Sequence, residues 1–290
     1  GLSFSSNWIA IQSQSETAAK VDMLSSDIET TVLDFSVEGF NLIKVETPNG
    51  VSHYVDVDEG TPMLSKGNPD LQKLTESIII PDNAEMSFKV VSSDYVEYEN
   101  VDIAPSKGSL TRNIDPNSID FEFSSTYDKD QFFPGDLVSL RDPFILRDYR
   151  GQVVVAYPFQ YNPKKKVLRV YTNITVEVYS SRANGNSTLS ANQSEKKIVS
   201  EYKRIYENQF INFEQSRYDV LSEQGNMLVI CNDAFLSDMQ PFVDWKNTKG
   251  IPTEMVSLSE IGSSSSSIDN YVSDYYHEQG LTFLLLVGDI

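Results

Sequence analysis

Hydrophobic and polar residues alternate with a period of two through much of the first 180 positions. "SHYVDVD", "SFKVVSSDYVEYENVDI" and "VLRVYTNITVEVYS" carry the alternation most clearly, in runs rich in Val, Ile, Phe and Tyr. Between the runs stand "TPNG", "KGNPD", "IPDN", "FFPGD" and "YNPKKK", whose Gly, Pro, Asn and Asp residues set turns. No helical period of useful length interrupts them before residue 195. The pattern predicts a mainly β domain, an antiparallel sandwich or barrel over residues 31–181, behind an N-terminal segment 1–30.

The grammar then changes twice. "SRANGNSTLSANQS" is a polar linker, and "EKKIVSEYKRIYENQFINFEQSRYDVL" has helical spacing at Val199, Tyr202, Ile205 and Tyr206. Together they make a connecting segment, 182–225, in which Lys203, Arg204 and Arg217 offer tryptic-type bonds. Residues 226–290 read as βαβαβ: "NMLVIC", a helix closed by Gly250, "TEMVSLS", a Ser-capped helix ending at Gly280, and "LTFLLLVGDI". In the second helix Ile268, Tyr271, Val272 and Tyr275 share a face. Three parallel strands are too few for a sheet covered on both faces, so the remainder of this domain is expected beyond residue 290.

Composition narrows the function classes. The 290 residues suit two units, and 40% hydrophobic with 11% aromatic content suits packed cores rather than disorder. A formal charge of −19 and a pI near 4.4 repel nucleic acid and anionic membrane surfaces. The single cysteine excludes an intrachain disulfide, and no zinc-like spacing exists, so neither metal nor cofactor is expected in this chain. No apolar run reaches the length of a membrane span, and "GLSFSSNWIAIQSQ" lacks the pattern of a leader; one removed before residue 1 would leave no trace. The sequons at Asn173, Asn186 and Asn192 are readily met by chance in a Ser/Asn-rich chain.

Candidate chemistry is sparse. Cys231, inside a first parallel strand, reads as a small buried hydrophobe rather than a nucleophile. His53, with Asp56 and Asp58 along the same strand, reads as a solvated face, and His277 as a cation at a helix C-terminus. GxSxG, P-loop and GxGxxG patterns are absent. Asp289 follows a parallel strand, where ligands of α/β proteins gather, and is a possible near-site residue.

Two longer stretches carry a resemblance. "GNPDLQKLTESIIIPDNAEMSFKVVSSDYVEYENVDIAPS" and "FFPGDLVSLRDPFILRDYRGQVVVAYPFQYNPKKKVLRVYTNITVEVYS" resemble the amino-terminal propeptide of gingipain-type cysteine peptidases. "MLVICNDAF", "FVDWKNTKGIPTEMV" and "YVSDYYHEQGLTFLLLVGDI" are similar to the start of the peptidase domain. The resemblance implies a secreted or surface-bound bacterial zymogen, in which a β-rich propeptide keeps a caspase-like α/β domain latent and assists its folding. The family's catalytic His, in a His-Gly pair, and its later Cys have no counterpart here. No catalytic residue transfers, and this chain alone is expected to be inactive.

The implied partners are the peptidase domain of the same chain, or a complementary C-terminal fragment, and protein substrates of the parent enzyme. Calcium in that parent cannot be placed in this sequence. The family's propeptides offer a basic side chain to the specificity pocket; Lys129 is the first candidate, with Lys107, Arg112 and Arg147 behind it. The alternative is a non-catalytic secreted β-sandwich that binds carbohydrate or protein through an aromatic strip of Tyr95, Tyr98, Phe132, Phe133, Tyr157 and Tyr161. A flat exposed row would favour that module, and a projecting basic loop would favour the zymogen.

Overall fold

The computed structural model of the chain describes residues 6–183, 185, 188, 198–213, 220–221 and 225–288. It divides into two compact units, residues 1–192 with 209–216 and residues 193–208 with 217–290. The chain therefore passes from the first unit to the second, back, and out again.

The first unit contains β1 (Ser6–Ala10), β2 (Lys20–Ser26), β3 (Thr30–Ser36), β4 (Gly39–Thr47), β5 (Gly50–Asp56), β6 (Thr61–Pro62), β7 (Gln72–Ile79) and β8 (Ala84–Glu99). It continues with β9 (Val138–Leu140), β10 (Phe144–Leu146), β11 (Tyr149–Ala156), β12 (Phe159–Asn162) and β13 (Val167–Ala183). Pairing within the sheets is antiparallel. One sheet runs β1-β4-β5 and a second β10-β11-β7-β6, with β9 also on β11. In the third, β13 carries β8 along one edge and β12 then β3 along the other, with β2 outside β3. Because β1 and β2 pair into these sheets, the unit begins ahead of the Thr31 start that the sequence pattern marks.

Alternation fixes which face turns inward. In β3, Thr31, Leu33 and Phe35 are buried while the residues between them are partly exposed. Leu33, Phe35, Phe40, Val55, Leu74, Ile78, Val154, Phe159, Ile174 and Val176 form one core drawn from all three sheets. Each such side chain contributes about 1.5–3 kcal/mol on burial, and a one-residue slip would turn the set outward. Strand β8 differs: its Val90, Val91, Tyr95 and Val96 are exposed. Three register shifts against β13 bend this edge, a geometry that discourages edge-to-edge pairing.

The second unit contains β14 (Ile198–Val199), α1 (Ser200–Gln209), β15 (Val220–Leu221), β16 (Met227–Cys231), α2 (Leu236–Thr248), β17 (Thr253–Ser257), α3 (Leu258–Ile261), α4 (Ser265–Gln279) and β18 (Phe283–Val287). The three strands β16, β17 and β18 are parallel, as the βαβαβ reading predicts, and stand in the order β17-β16-β18. Leu228 and Ile230 of β16 pack beneath Tyr275, Ile268, Tyr271 and Val272 of α4. Met227, Val229 and Cys231 face Val243, Leu236, Met239 and Phe242 of α2. Ser264 caps α4 by accepting from the Ser267 amide at 3.1 Å, and Gly280, at φ 75°, ends it. Helix α1 is shorter than the spacing implies: Val199 lies in β14, and Ile205 is 47% exposed.

Candidate functional site

Residues 100–137 connect β8 to β9, and the base of this excursion is tied to the turn 65–70. The Ser106 amide donates to the Asn68 carbonyl at 2.7 Å, the Gly67 amide to the Ser106 carbonyl at 2.8 Å, and the Ser124 amide to the Gly67 carbonyl at 2.9 Å. The Asn68 side chain works on both sides. Its Oδ1 accepts from Ser124 Oγ at 2.7 Å and Thr126 Oγ1 at 2.6 Å, while its Nδ2 donates to Ser65 Oγ at 2.8 Å. Gly67 sits at φ 79°, and a Cβ there would come within 3.3 Å of Ser124. Tyr127 closes the base by donating from its hydroxyl to the Ile103 carbonyl at 3.0 Å.

Beneath that base lies Asp70, whose carboxyl is pushed up to about 6 by burial. Its backbone amide bonds the Ala104 carbonyl at 2.9 Å, and its carboxyl makes no hydrogen bond among the described residues. Burial, then the charge of Asp70, raises Tyr54 to about 12. Tyr127 is raised by burial first, then by Tyr161, Asp70 and Asp102. The base of the excursion therefore holds an acid whose ionised form is disfavoured.

Outside the base, the four basic candidates separate by what they touch. Lys107 donates to the Pro116 carbonyl at 2.8 Å and lies 4.2 Å over the Phe121 ring, so it braces the excursion internally. Arg112 sits within a turn closed by the Ile114 amide on the Thr111 carbonyl at 3.0 Å, and residues 111–118 are all exposed. Its guanidinium has no hydrogen bond or ion pair among the described residues. Asp115 shapes the next turn by accepting from the Asn117 amide at 2.9 Å. Lys129 ends a short 3-10 turn whose Ser124 cap belongs to the clamped base, and it is exposed between Asp128 and Asp130. Asp130 accepts from Asn162 Nδ2 at 2.9 Å and pairs with Lys165 at 3.1 Å, contacts that lower its pKa. Arg147 is drawn toward Asp148 at 3.7 Å.

In the connecting segment, Lys203 and Arg204 are exposed on α1, and Lys203 pairs with Glu207 at 3.5 Å. Arg217 and Asp289 lie outside the described residues. Just past α1 the chain is gripped by the first unit. Asn212, 4% exposed, accepts from the Ile79 amide at 2.7 Å and donates to the Ile79 carbonyl at 3.1 Å. The Ile211 amide bonds the Ser77 carbonyl at 3.2 Å. Phe210 stacks on Phe144 at 6.0 Å, and Phe213 meets Tyr149 edge-on at 5.7 Å.

Among the described residues no catalytic pair forms. Cys231 is buried, burial pushes its thiol up, and its Sγ contacts the Asn232 carbonyl at 3.3 Å. His53 Nδ1 lies 3.3 Å from the Asp102 carbonyl, and His277 is exposed in the last turn of α4. Glu16, Asp56, Asp58 and Glu59 line a cleft of about 390 Å³. Among the described residues, however, no three His, Cys, Asp or Glu side chains converge to hold a metal ion. The aromatic strip is broken. Tyr161 is buried, and Tyr95 and Phe132 hold the Arg169 guanidinium at 4.4 and 3.8 Å.

Asn68, Asp70 and Asn212 escape the sequence reading. Asn68 and Asp70 stand in "KGNPD", which reads as punctuation, and Asn212 in "FINF", where a polar residue between aromatics is the only signal.

The fold and loop define a class: a β-rich propeptide unit continuing into the opening strands of a parallel α/β domain. Family models agree, with Propeptide_C25 matching residues 12–221 and Peptidase family C25 matching residues 220–290. The chain belongs to this family, as an N-terminal propeptide and the start of a gingipain-like peptidase domain. Gingipain R1 of Porphyromonas gingivalis is 39% identical over 271 residues, covering 91% of this chain and 27% of its own length. Gingipain R2 of the same organism is 37% identical over 276 residues, covering 93% and 37%. This chain thus spans little more than a third of those relatives at most. Among solved structures, the complex of Porphyromonas gingivalis RgpB pro- and mature domains matches with a TM-score of 0.63 and 37% identity, over 68% of this chain and 97% of that one. A structure of gingipain K from the same organism, which concerns its zymogenic latency, shares the fold at a TM-score of 0.53 and 22% identity, over 61% and 100% of the two chains.

Proposed function

We propose that this chain is the front part of a secreted or surface-bound cysteine endopeptidase zymogen, and that its propeptide holds the peptidase latent and assists its folding. One observation carries the reading: an exposed turn bearing a basic residue, on a base clamped to the core through Asn68. A preorganised loop loses little conformational entropy on entering a pocket. Lys107 braces the excursion and Lys129 adjoins the clamped base between two acids, so Arg112 is the best placed of the candidates to enter the specificity pocket. The chemistry it restrains is thiolate attack on a scissile carbonyl with a histidine base and backbone oxyanion donors, all supplied by the remainder of the peptidase.

The α/β part is then the first portion of a larger sheet. Leu284 and Leu286, 43% and 58% exposed on β18, mark a face for a further layer to cover. Activation requires a cut in the connecting segment. Lys203 and Arg204 are held in a helix, which disfavours cutting at either bond, so Arg217 is the first of the three sites to test.

The test is residual activity of the uncleaved full-length zymogen on a protein substrate. Arg112→Ala is expected to raise it at least tenfold, with Lys129→Ala and Lys107→Ala changing it less. Unaltered latency in Arg112→Ala alongside lost latency in Lys129→Ala would reverse the assignment.

A further inference from the structure

The acidic cleft of about 390 Å³ in the propeptide unit lies between residues 16–18 and the turn 56–60. Two bonded supports hold its walls. The Ala19 amide donates to the Asp58 carbonyl at 3.0 Å and joins one wall to the other. Gln72, 8% exposed, donates from Nε2 to Asp56 Oδ1 at 2.9 Å and accepts from the Val57 amide at 3.4 Å. Asn41 forms the floor. It stands directly opposite Asp56 in the antiparallel β4–β5 pair, so the two side chains leave the same face of the sheet. Its Nδ2 donates across the cleft to Glu16 Oε1 at 2.5 Å. Asn41 is 3% exposed, yet its Oδ1 has no hydrogen-bond partner, and neither has the buried Thr17 Oγ1 beside Glu16. Orphan oxygens of this kind are rare, because a buried acceptor without a donor is costly.

The walls and floor lack donors and positive charge. Glu16, Asp56, Asp58 and Glu59 form no ion pair among the described residues, and Glu16, Asp56 and Asp58 each keep one carboxyl oxygen without a hydrogen bond there. The bases nearest in sequence are engaged elsewhere, Lys20 with Glu38 at 2.9 Å and Lys66 with Glu122 at 2.7 Å. The carboxyls are too spread for three of them to gather on one metal ion, and the space is that of a small organic group. A guanidinium meets these demands: it is planar, permanently charged, and carries five N–H donors in a fixed fork that reaches separated acceptors. We infer that the cleft is a binding site for an arginine side chain, with Glu16 and Asp56 accepting from the edges of the guanidinium and Asn41 Oδ1 and Thr17 Oγ1 from its remaining N–H groups. Residues 11–19 have no regular structure and are the wall that yields to admit it. The site goes beyond the latency reading and does not depend on it, since every group in it belongs to the propeptide unit.

The experiment titrates the ¹⁵N-labelled 290-residue chain with N-acetylargininamide and follows its amide shifts. Saturable shifts are expected at residues 16–18, 41 and 56–60. N-acetyllysinamide, a point charge with three donors, should bind at least threefold more weakly, and the neutral isostere N-acetylcitrullinamide should leave the spectrum unchanged. Glu16→Gln and Asp56→Asn should each weaken binding at least tenfold, with Asp58→Asn in place of Asp56→Asn if the amide spectrum of the latter shows altered folding. Asp269→Asn with Asp274→Asn, on the exposed face of α4, removes the same charge elsewhere and should leave binding unchanged. Shifts spread over the acidic surface, equal binding of the citrulline isostere, or equal loss in the α4 variant overturns the site. So does calcium chloride that saturates the same amides more tightly than N-acetylargininamide.

Discussion

Asp70→Asn should stabilise the propeptide unit at neutral pH and leave it unchanged in acid. The Asp70 carboxyl rises from an ordinary 3.8 to about 6 because burial disfavours its charge. The sign follows from linkage. Below pH 4 the acid is protonated folded and unfolded, and no penalty exists. Between pH 4 and 6 the unfolded chain ionises while the folded one holds its proton, so stability falls as pH rises. Above pH 6 both are ionised and the loss is complete. A shift of about 2 pH units corresponds to about 3 kcal/mol, and relaxation of the loop base brings the expected gain to about 1–3 kcal/mol. The chain has two tryptophans, so a Trp245→Phe background leaves Trp8 as reporter. Trp8 donates from Nε1 to the Ser13 carbonyl at 3.1 Å within the propeptide unit. Urea unfolding by its fluorescence at pH 4 and pH 8 gives the two differences. Equal effects of the substitution at both pH values, or destabilisation at pH 8, would refute the assignment of a burial penalty to Asp70.

Other outcomes follow from single contacts. Asn68→Ala removes three side-chain hydrogen bonds at the loop base and should cost about 1.5–4 kcal/mol, with faster tryptic cutting after Arg112 as its local readout. Gly151→Ala would set a Cβ 2.5 Å from the Phe210 ring and 2.7 Å from Phe144, an overpacking expected to cost about 1–3 kcal/mol in thermal unfolding. Cys231 should stay unreactive toward a thiol reagent at pH 8 until urea opens the α/β unit; stoichiometric labelling of the native protein would contradict its burial.

Much of the fold was legible because burial on one face writes itself as alternation. The β3 and β13 runs show this, and the caps of α4 are readable one residue at a time from Ser264 and Gly280. Long-range pairing was not legible. Nothing local in "NWIA" says that it hydrogen-bonds to β4, which is why the N-terminal strands fell outside the marked domain. The basic candidates could be named from the sequence as loop residues, but not told apart. Lys107, Arg112 and Lys129 differ in what surrounds them, and the Lys107 contact to the Pro116 carbonyl depends on how the excursion folds back. Asn212 hid for the same reason: its partners at Ile79 are 133 residues away in the chain.

The alternating path through the two units also sets an order of events on the ribosome. The β unit is unfinished until "FINF" emerges, because Asn212 closes the backbone of Ile79. Helix α1 precedes those residues yet must wait longer, since its Tyr202 partner Phe283 is translated about 70 residues after Phe213, a delay of roughly 4–14 s at 5–20 residues per second. An isolated ten-residue helix is marginal in water. During synthesis, then, α1 is an unfolded bridge hung from a completed β unit, and becomes a helix only when the third parallel strand arrives.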